Sequence, residues 1–230
     1  MDEAMARATW ADGARSVVPL LLGIVPFGLI FGVTAIDAGV PPIAAWASSF
    51  IVFAGASQIA IVEVLDNGGA AVVAFATAVV INARLMMYSA DMGRYTSSFP
   101  ISVRMPLSYL LTDQAYLVTV HRFPSPSHRE GLLHFYFGAA LTLWTVWQIS
   151  TTSGMVLGTA VPESWSLGFA IPLTFMALLV LAVKDRPQLV AAVVGALVAV
   201  AGVGLPYSLG LLLGAAAGVI AGMVAARSTR

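Results

Sequence analysis

The 230-residue chain is 59% hydrophobic and 10% charged, with a mean hydropathy of +0.91, which leaves too little polar surface to cover a soluble domain of this size. Eleven basic and eleven acidic residues cancel and the basic ones are scattered, an arrangement that excludes the usual electrostatic footprint of a nucleic-acid binder. Cysteine is absent, so disulfides and thiolate metal sites are excluded.

The first sixteen residues carry Asp2, Glu3, Arg7, Asp12 and Arg15 and precede an apolar run of full-span length. They are expected to form a cytoplasmic N-terminal segment before a retained first helix, not a cleaved signal peptide. A span takes about 20 apolar residues. Turn signals such as Gly39-Val40-Pro41-Pro42, Asp66-Asn67-Gly68-Gly69 and Lys184-Asp185-Arg186-Pro187 then divide the chain into Val17–Ile36, Pro42–Val64, Gly69–Ala90, Ile101–Val120, Gly131–Gly158, Ser166–Val183, Pro187–Leu205 and Tyr207–Ala226. The expectation is an all-α integral membrane protein, a polytopic helical bundle of about seven or eight transmembrane helices with room for broken ones. It has one transmembrane domain over residues 17–226 and a cytoplasmic tail over 227–230.

Taken as alternating spans with both termini inside, these segments put Arg7, Arg15, Arg122, Arg129, Lys184, Arg186, Arg227 and Arg230 on the cytoplasmic side. Arg94 and Arg104 fall outside and Arg84 lies within the third segment. Continuous apolar runs, in place of ten-residue alternations, exclude a β-barrel. No convincing repeat is visible, and an inverted repeat stays open.

Four polar clusters interrupt the spans. Ala54-Gly55-Ala56-Ser57-Gln58 in the second segment suits either a close-packing helix face or an unwound stretch buried in protein. Asn82-Ala83-Arg84, followed by Tyr88 and Asp91, sits in the third; Arg84 can snorkel to headgroups, but the Asn82 amide must be satisfied at nearly the same depth. The third cluster, Ser108, Thr112, Asp113 and Gln114, is the most informative, because a carboxylate at midspan costs roughly 2.5–3.5 kcal/mol unless it finds a partner, water or a proton. Asp113 is therefore either functional or half of a static ion pair with Arg84. Gln148 and Ser150 to Ser153, behind Trp144 and Trp147, read as a locally polar stretch of the long fifth segment.

In the last segment Gly210, Gly214, Gly218 and Gly222 recur every four residues and form a packing groove for a neighbour in this chain or for another subunit. Metalloprotease, nucleophile-elbow, P-loop and dinucleotide signatures are absent, so no enzyme activity and no cofactor are expected. His121, His128 and His134 match no familiar metal spacing.

The runs Gly23 to Gly32, Phe53 to Gln58, Asn82 to Tyr88 and Leu111 to Gln114 together resemble the AzlC family, the large subunits of bacterial branched-chain amino acid permeases, usually exporters. The resemblance is most specific from Pro19 to about Val120. It implies a small AzlD-like membrane subunit as partner, efflux of valine, leucine or isoleucine, and a place in the bacterial cytoplasmic membrane. Where many relatives read Asn-Leu-Arg-His and Thr-Asp-Glu, this chain has Asn82-Ala83-Arg84-Leu85 and Thr112-Asp113-Gln114, so a titratable histidine and a second carboxylate are missing.

The residues themselves favour a polar site in an apolar bundle with one cation and one anion, as a zwitterion requires. Asp113, Arg84, Asn82, Ser57, Gln58, Gly55, Thr112 and Gln114 are the candidates for substrate or ion binding, and no metal is expected. The first reading is a secondary transporter. The competing reading is a non-transporting scaffold subunit, which explains the glycine groove but not Asp113.

Overall fold

The computed structural model describes residues 8–66, 68–126, 130–157, 176, 179, 183, 185–205 and 209–228. The expected sixth segment, Ser166–Val183, lies almost wholly outside the described residues, as do Arg7, His128, Arg129, Lys184 and Arg230. Within them the regular elements are α-helices: α1 (Trp10–Asp37), α2 (Pro42–Ile51), α3 (Gly55–Asp66), α4 (Ala71–Thr96), α5 (Ile101–Tyr109), α6 (Asp113–Arg122), α7 (Leu132–Leu157), α8 (Arg186–Ala201) and α9 (Leu209–Ser228). Met1–Met176 and Ala177–Arg230 form two compact units.

In the first unit α1 and α4 are each long and apolar enough to cross a membrane. At 1.5 Å per residue their 28 and 26 residues reach roughly 40 Å. Helix α1 starts with a reciprocal cap, Thr9 Oγ1 accepting from Asp12 N–H at 3.3 Å while the Asp12 carboxylate accepts from Thr9 N–H at 2.9 Å. It packs along α7 on small residues. A Cβ at Gly13 would strike the Phe135 carbonyl, one at Gly28 would lie 2.7 Å from Ser150 Cβ, and one at Gly32 would lie 2.6 Å from Met155 N. Gly138 and Gly154 are pressed in the same way against the backbones of Trp10 and Leu29. Partners that rise in step along both chains mean that α1 and α7 run parallel, with backbones close enough that only glycine fits.

The second and fourth sequence segments are broken, and each folds back on itself. Gln58 Nε2 donates to Ser48 Oγ at 2.9 Å and lies 3.3 Å from Ser49 Oγ. Ten residues of continuous helix would separate Ser48 from Gln58 by about 15 Å, so α2 and α3 form a hairpin with its tip at Val52–Ala54. Phe53 in that tip has φ +43, a left-handed conformation unusual for a bulky side chain. Helix α4 then runs back along α3, with Asn82 Nδ2 donating to Ser57 Oγ at 3.0 Å.

Helix α6 lies parallel to α4. Arg84 meets Asp113, Asp91 meets Tyr116, and the Tyr95 hydroxyl donates to the Phe123 carbonyl at 2.9 Å. Since α4 ends at Thr96, only four residues before α5 begins, α5 must descend from that end so that α6 can return to it. The Tyr136 hydroxyl, one turn into α7, holds the Leu107 carbonyl at 2.7 Å. The α5/α6 pair is thus a second hairpin with its tip at Leu110–Thr112. It enters from the end where α1 and α7 begin, whereas α2/α3 enters from the other. The expectation of continuous spans over Pro42–Val64 and Ile101–Val120 is corrected accordingly. Breaks had been allowed for, but the hydropathy of a segment cannot distinguish a helix that crosses from one that turns back at mid-depth.

The hairpins also re-sort the charges. The described arginines of this unit outside the site, Arg15, Arg94, Arg104 and Arg122, lie toward the end where α1 begins, while the other end carries Asp37, Glu63 and Asp66. Arg94 and Arg104, expected on the opposite face from Arg15, therefore share its face.

In the second unit α8 and α9 pack on their glycines. A Cβ at Gly214 would lie 2.6 Å from the Gly195 carbonyl, one at Gly218 would lie 2.7 Å from the Ala191 carbonyl, one at Gly222 would lie 2.9 Å from Ala191 Cβ, and one at Gly210 would strike the Gly202 carbonyl. Of the two neighbours the sequence allowed for this groove, the structure seats α8, a neighbour within the chain. The groove is therefore not a free surface for another subunit, because bringing two backbones this close fills it.

Candidate functional site

The two hairpin tips meet. The Tyr109 hydroxyl donates to the Phe50 carbonyl at 2.7 Å and accepts from Trp144 Nε1 at 3.0 Å, and the Phe53 and Tyr109 rings stand 6.3 Å apart. Between the tips lies a cavity of about 60 Å³, lined by Phe53 to Ala56 from one hairpin, Leu111 to Gln114 from the other, Arg84 and Leu85 from α4, and Ile24, Phe27, Leu143 and Trp147 from α1 and α7.

Each polar group arrives there for a local reason. Thr112 caps α6, its Oγ1 accepting from Ala115 N–H at 3.2 Å. That cap makes Asp113 the first helical residue and aims its carboxylate out of the helix start, where the macrodipole favours an anion. Arg84 Nη2 pairs with Asp113 Oδ2 at 3.1 Å, the side chains being 27% and 14% exposed, so the pair is well shielded but not sealed. Tyr88 follows Arg84 by one turn on the same face of α4.

The other tip presents the start of α3, whose first N–H groups have no intrahelical acceptor. Gly55 is there because a side chain would hit the Trp147 ring, and Trp147 is itself clamped between Phe27, edge-on at 5.6 Å, and Phe31, stacked at 6.2 Å. Two positive helix ends, one guanidinium and one carboxylate therefore converge on a cavity walled by aliphatic and aromatic side chains.

Of the expected site residues, Gly55, Arg84, Thr112, Asp113 and Gln114 line the cavity. Asn82, Ser57 and Gln58 stand behind it. Ser57 and Gln58 are buried, Ser57 Oγ donating to the Ala54 carbonyl at 2.8 Å, and Asn82 steadies Ser57. Gln148, from the fourth polar cluster, donates Nε2 to the Ser49 carbonyl at 3.1 Å and so belongs to the frame of the first hairpin. The apolar wall of Ile24, Phe27, Leu143 and Trp147 was not singled out from the sequence as part of the site. Its signal was faint, the Phe27-Gly28 and Phe31-Gly32 pairs four residues apart on one helix face. Among the described residues no cluster of His, Cys, Asp or Glu could hold a metal.

These broken helices and their charged junction lie within residues 19–161, the stretch matched by a family model described as AzlC protein. Over 227 residues the chain is 25% identical to the inner membrane protein YgaZ of Escherichia coli strain K12, covering 95% of this chain and 91% of that one. It is also 28% identical over 200 residues to an uncharacterized membrane protein of Archaeoglobus fulgidus, covering 84% of each. No solved structure matches it. A family match over more than half of the chain, centred on the two hairpins, places this protein in the AzlC family of membrane proteins.

Proposed function

We propose that this protein is a secondary transporter that exports branched-chain or similar neutral amino acids across the cytoplasmic membrane, working with a small AzlD-like membrane subunit. The carrying observation is the Arg84–Asp113 pair at the meeting of the two tips. An α-amino acid brings one carboxylate and one ammonium. Arg84 and the start of α3 suit the first, Asp113 suits the second, and Phe27, Leu143 and Trp147 suit an aliphatic side chain.

With no substrate the two charges neutralise each other. A substrate must therefore take over both halves of the ion pair, which holds the α5/α6 tip against α4. That exchange makes binding and opening one event. Because the hairpins enter from opposite ends, each closes the cavity toward one face, α2/α3 toward the outer and α5/α6 toward the inner. The scaffold reading is weaker, since its main support, the glycine groove of α9, is occupied by α8.

The orientation follows from charge. Positive residues concentrate on the cytoplasmic side, which puts the end carrying Arg15, Arg94, Arg104 and Arg122 inside. Single-cysteine labelling tests this cleanly in a chain with no native cysteine. Asp66→Cys should react with an impermeant thiol reagent from outside and Ser98→Cys should not. The reverse pattern would restore continuous spans and remove the hairpin reading. The transport proposal is tested in proteoliposomes holding labelled valine or leucine, with and without the small subunit. Absence of saturable amino acid movement in both preparations would overturn it.

A further inference from the structure

The two sides of the cavity differ in readiness. The charged side chains that line it, Arg84 and Asp113, are engaged with each other at 3.1 Å. On the α3 side the donors have no such partner. Gln58 N–H is the first in α3 to reach a helical acceptor, the Ala54 carbonyl at 3.0 Å. The N–H groups of Gly55 and Ala56 come before it, both residues line the cavity, and neither N–H meets an acceptor among the described residues. A further donor stands beside them. Trp147 is only 6% exposed, and its Nε1–H is buried with no acceptor among the described residues, whereas Trp144 Nε1 has the Tyr109 hydroxyl at 3.0 Å. Trp147 Nε1 is two bonds from Cζ2, the ring atom 3.1 Å from where a Cβ on Gly55 would sit, so the indole N–H and the start of α3 are neighbours. Unpaired buried donors are costly. Three of them at the positive end of a helix, beside an aliphatic and aromatic wall, suit a carboxylate on an apolar skeleton. The ammonium of an amino acid meets a different reception, because its counter-charge is Asp113, which Arg84 already holds.

We propose that short branched aliphatic carboxylates without an amino group, of which the 2-oxo acid with valine's skeleton is the type, bind in this cavity and are not carried. This rests on the transport reading above and names a second ligand class for the same site. The carboxylate accepts from the Gly55 and Ala56 N–H groups and from Trp147 Nε1, with the branched end against Phe27 and Leu143. Drawing Arg84 across to this carboxylate as well would strand Asp113 as a shielded, unpaired charge, which is the costly way to break an ion pair. A zwitterion avoids that cost, because its ammonium replaces the guanidinium on Asp113. The oxo acid has nothing to put there, so Arg84 stays on Asp113 and the α5/α6 tip stays fastened. Carboxylate binding and unfastening are thus separable: the first needs the α3 corner, the second needs the ammonium. Amino acid and oxo acid then compete for one seat, and the deaminated form of the substrate acts as a brake on export.

The test uses the purified full chain, with its small subunit if binding requires it, and displacement of labelled valine. 2-Oxoisovalerate should displace it with an affinity within about tenfold of valine's own, because the ion contact that the zwitterion gains is offset by the one it breaks. Isobutylamine, which keeps the ammonium and lacks the carboxylate, should be at least about tenfold weaker than the oxo acid, the loss expected for hydrogen bonds to a charged group. In proteoliposomes 2-oxoisovalerate added with valine should slow its movement. Vesicles loaded with valine should take up labelled valine by exchange, and vesicles loaded with the oxo acid should not. Asp113→Asn should bind labelled 2-oxoisovalerate at least as tightly as the wild type, since an Arg84 released from Asp113 only adds to the hold on a carboxylate; that binding also shows the variant to be folded. Trp147→Phe keeps a ring beside Gly55 and should weaken 2-oxoisovalerate roughly tenfold. No displacement of valine by 2-oxoisovalerate would overturn the proposal, as would equal displacement by isobutylamine. Exchange of the oxo acid for labelled valine would overturn it too, by showing that unfastening needs no ammonium. Unaltered 2-oxoisovalerate affinity in Trp147→Phe would remove the α3 corner as its seat. Failure of valine to bind or move, with labelled 2-oxoisovalerate still bound, would strike the transport reading and leave the carboxylate seat standing.

Discussion

The two hairpins follow one plan, a helix descending to mid-depth, a break, and a second helix returning, yet they are closed by different means. In α2/α3 the closure is neutral and mostly internal. Gln58 reaches across to Ser48 and Ser49, Ser57 ties back to the Ala54 carbonyl, and Gln148 from α7 braces Ser49. In α5/α6 the ties run outward to neighbours. Tyr136 holds Leu107, Tyr95 holds Phe123 at the far end of α6, and at the tip Arg84 grips Asp113. A tip fastened by neutral hydrogen bonds within its own hairpin has little reason to move when a zwitterion arrives. A tip fastened by an ion pair loses its fastening to any ligand that carries the same charges. The comparison assigns α2/α3 to the frame and α5/α6 to the part that responds to substrate.

The largest effect should come from the charged fastening. Asp113→Asn keeps volume, and the Thr112 cap survives because its bond runs to the Ala115 backbone. Truncating one partner of a shielded charge pair costs about 2–5 kcal/mol, which is roughly thirtyfold or more in substrate affinity. Valine binding and efflux in proteoliposomes should fall by at least that much while the variant still inserts. Transport within about twofold of wild type would leave α5/α6 without a substrate-sensitive fastening and erase the difference between the hairpins.

Next is the contact that sets the spacing of the tips. Gly55→Val drives a side chain into the Trp147 ring, and overpacking of this kind costs about 1–3 kcal/mol. Since Trp147 is wedged between Phe27 and Phe31, the cheaper relaxation is retreat of the α3 start from the cavity. About tenfold slower transport is expected. Partial recovery in Gly55→Val with Trp147→Phe would show that the ring is what is struck; no recovery would mean that backbone conformation decides the loss.

Removing the internal lock should affect stability more than transport. Gln58→Leu loses the bonds to Ser48 and Ser49 in a side chain only 2% exposed, a cost of about 1–3 kcal/mol. The unfolding midpoint in detergent should drop, with valine transport falling less than about threefold. A transport loss as large as that of Asp113→Asn would mean that α2/α3 also moves with substrate, making the two hairpins equivalent.

Much of this is legible in the sequence. A carboxylate at mid-depth and an arginine on the neighbouring segment are costly enough that Asp113 and Arg84 announced themselves, while the Ala54–Gln58 run suited equally a close-packed helix face and an unwound stretch; the break falls at its start and Gly55 to Gln58 are helical. The folding back did not show, because apolar composition reports only that a segment resides in lipid or protein and is silent about its direction. Arg94 and Arg104 held the clue. Alternating spans forced both onto the face opposite Arg15, a misfit that two hairpins remove. The α1–α7 glycines were equally hidden, since Gly13, Gly28, Gly32, Gly138 and Gly154 are split between helices far apart in sequence. The glycine repeat of α9, confined to one helix, was plain to see, but its partner could not be named until α8 was found lying in it.

The smallest effect should come from a side chain that joins the hairpins. The Tyr109 hydroxyl, at the end of α5, donates to the Phe50 carbonyl near the tip of α2/α3 and accepts from Trp144 on α7. It is thus a neutral cross-tie beside the charged one. Tyr109→Phe keeps the ring against Phe53 and removes only the hydroxyl. A net hydrogen bond is worth about 0.5–1.5 kcal/mol, and because Tyr109 is 44% exposed the lower end applies. That shifts an open–closed equilibrium by roughly two- to threefold. If parting of the tips limits turnover, labelled valine exchange should speed up by that factor, with the unfolding midpoint nearly unchanged. A slower exchange would mean that the hydroxyl positions the tip for substrate and does not restrain it. An unchanged rate would locate the limiting motion elsewhere and leave the Arg84–Asp113 pair as the fastening of the α5/α6 tip that matters for opening.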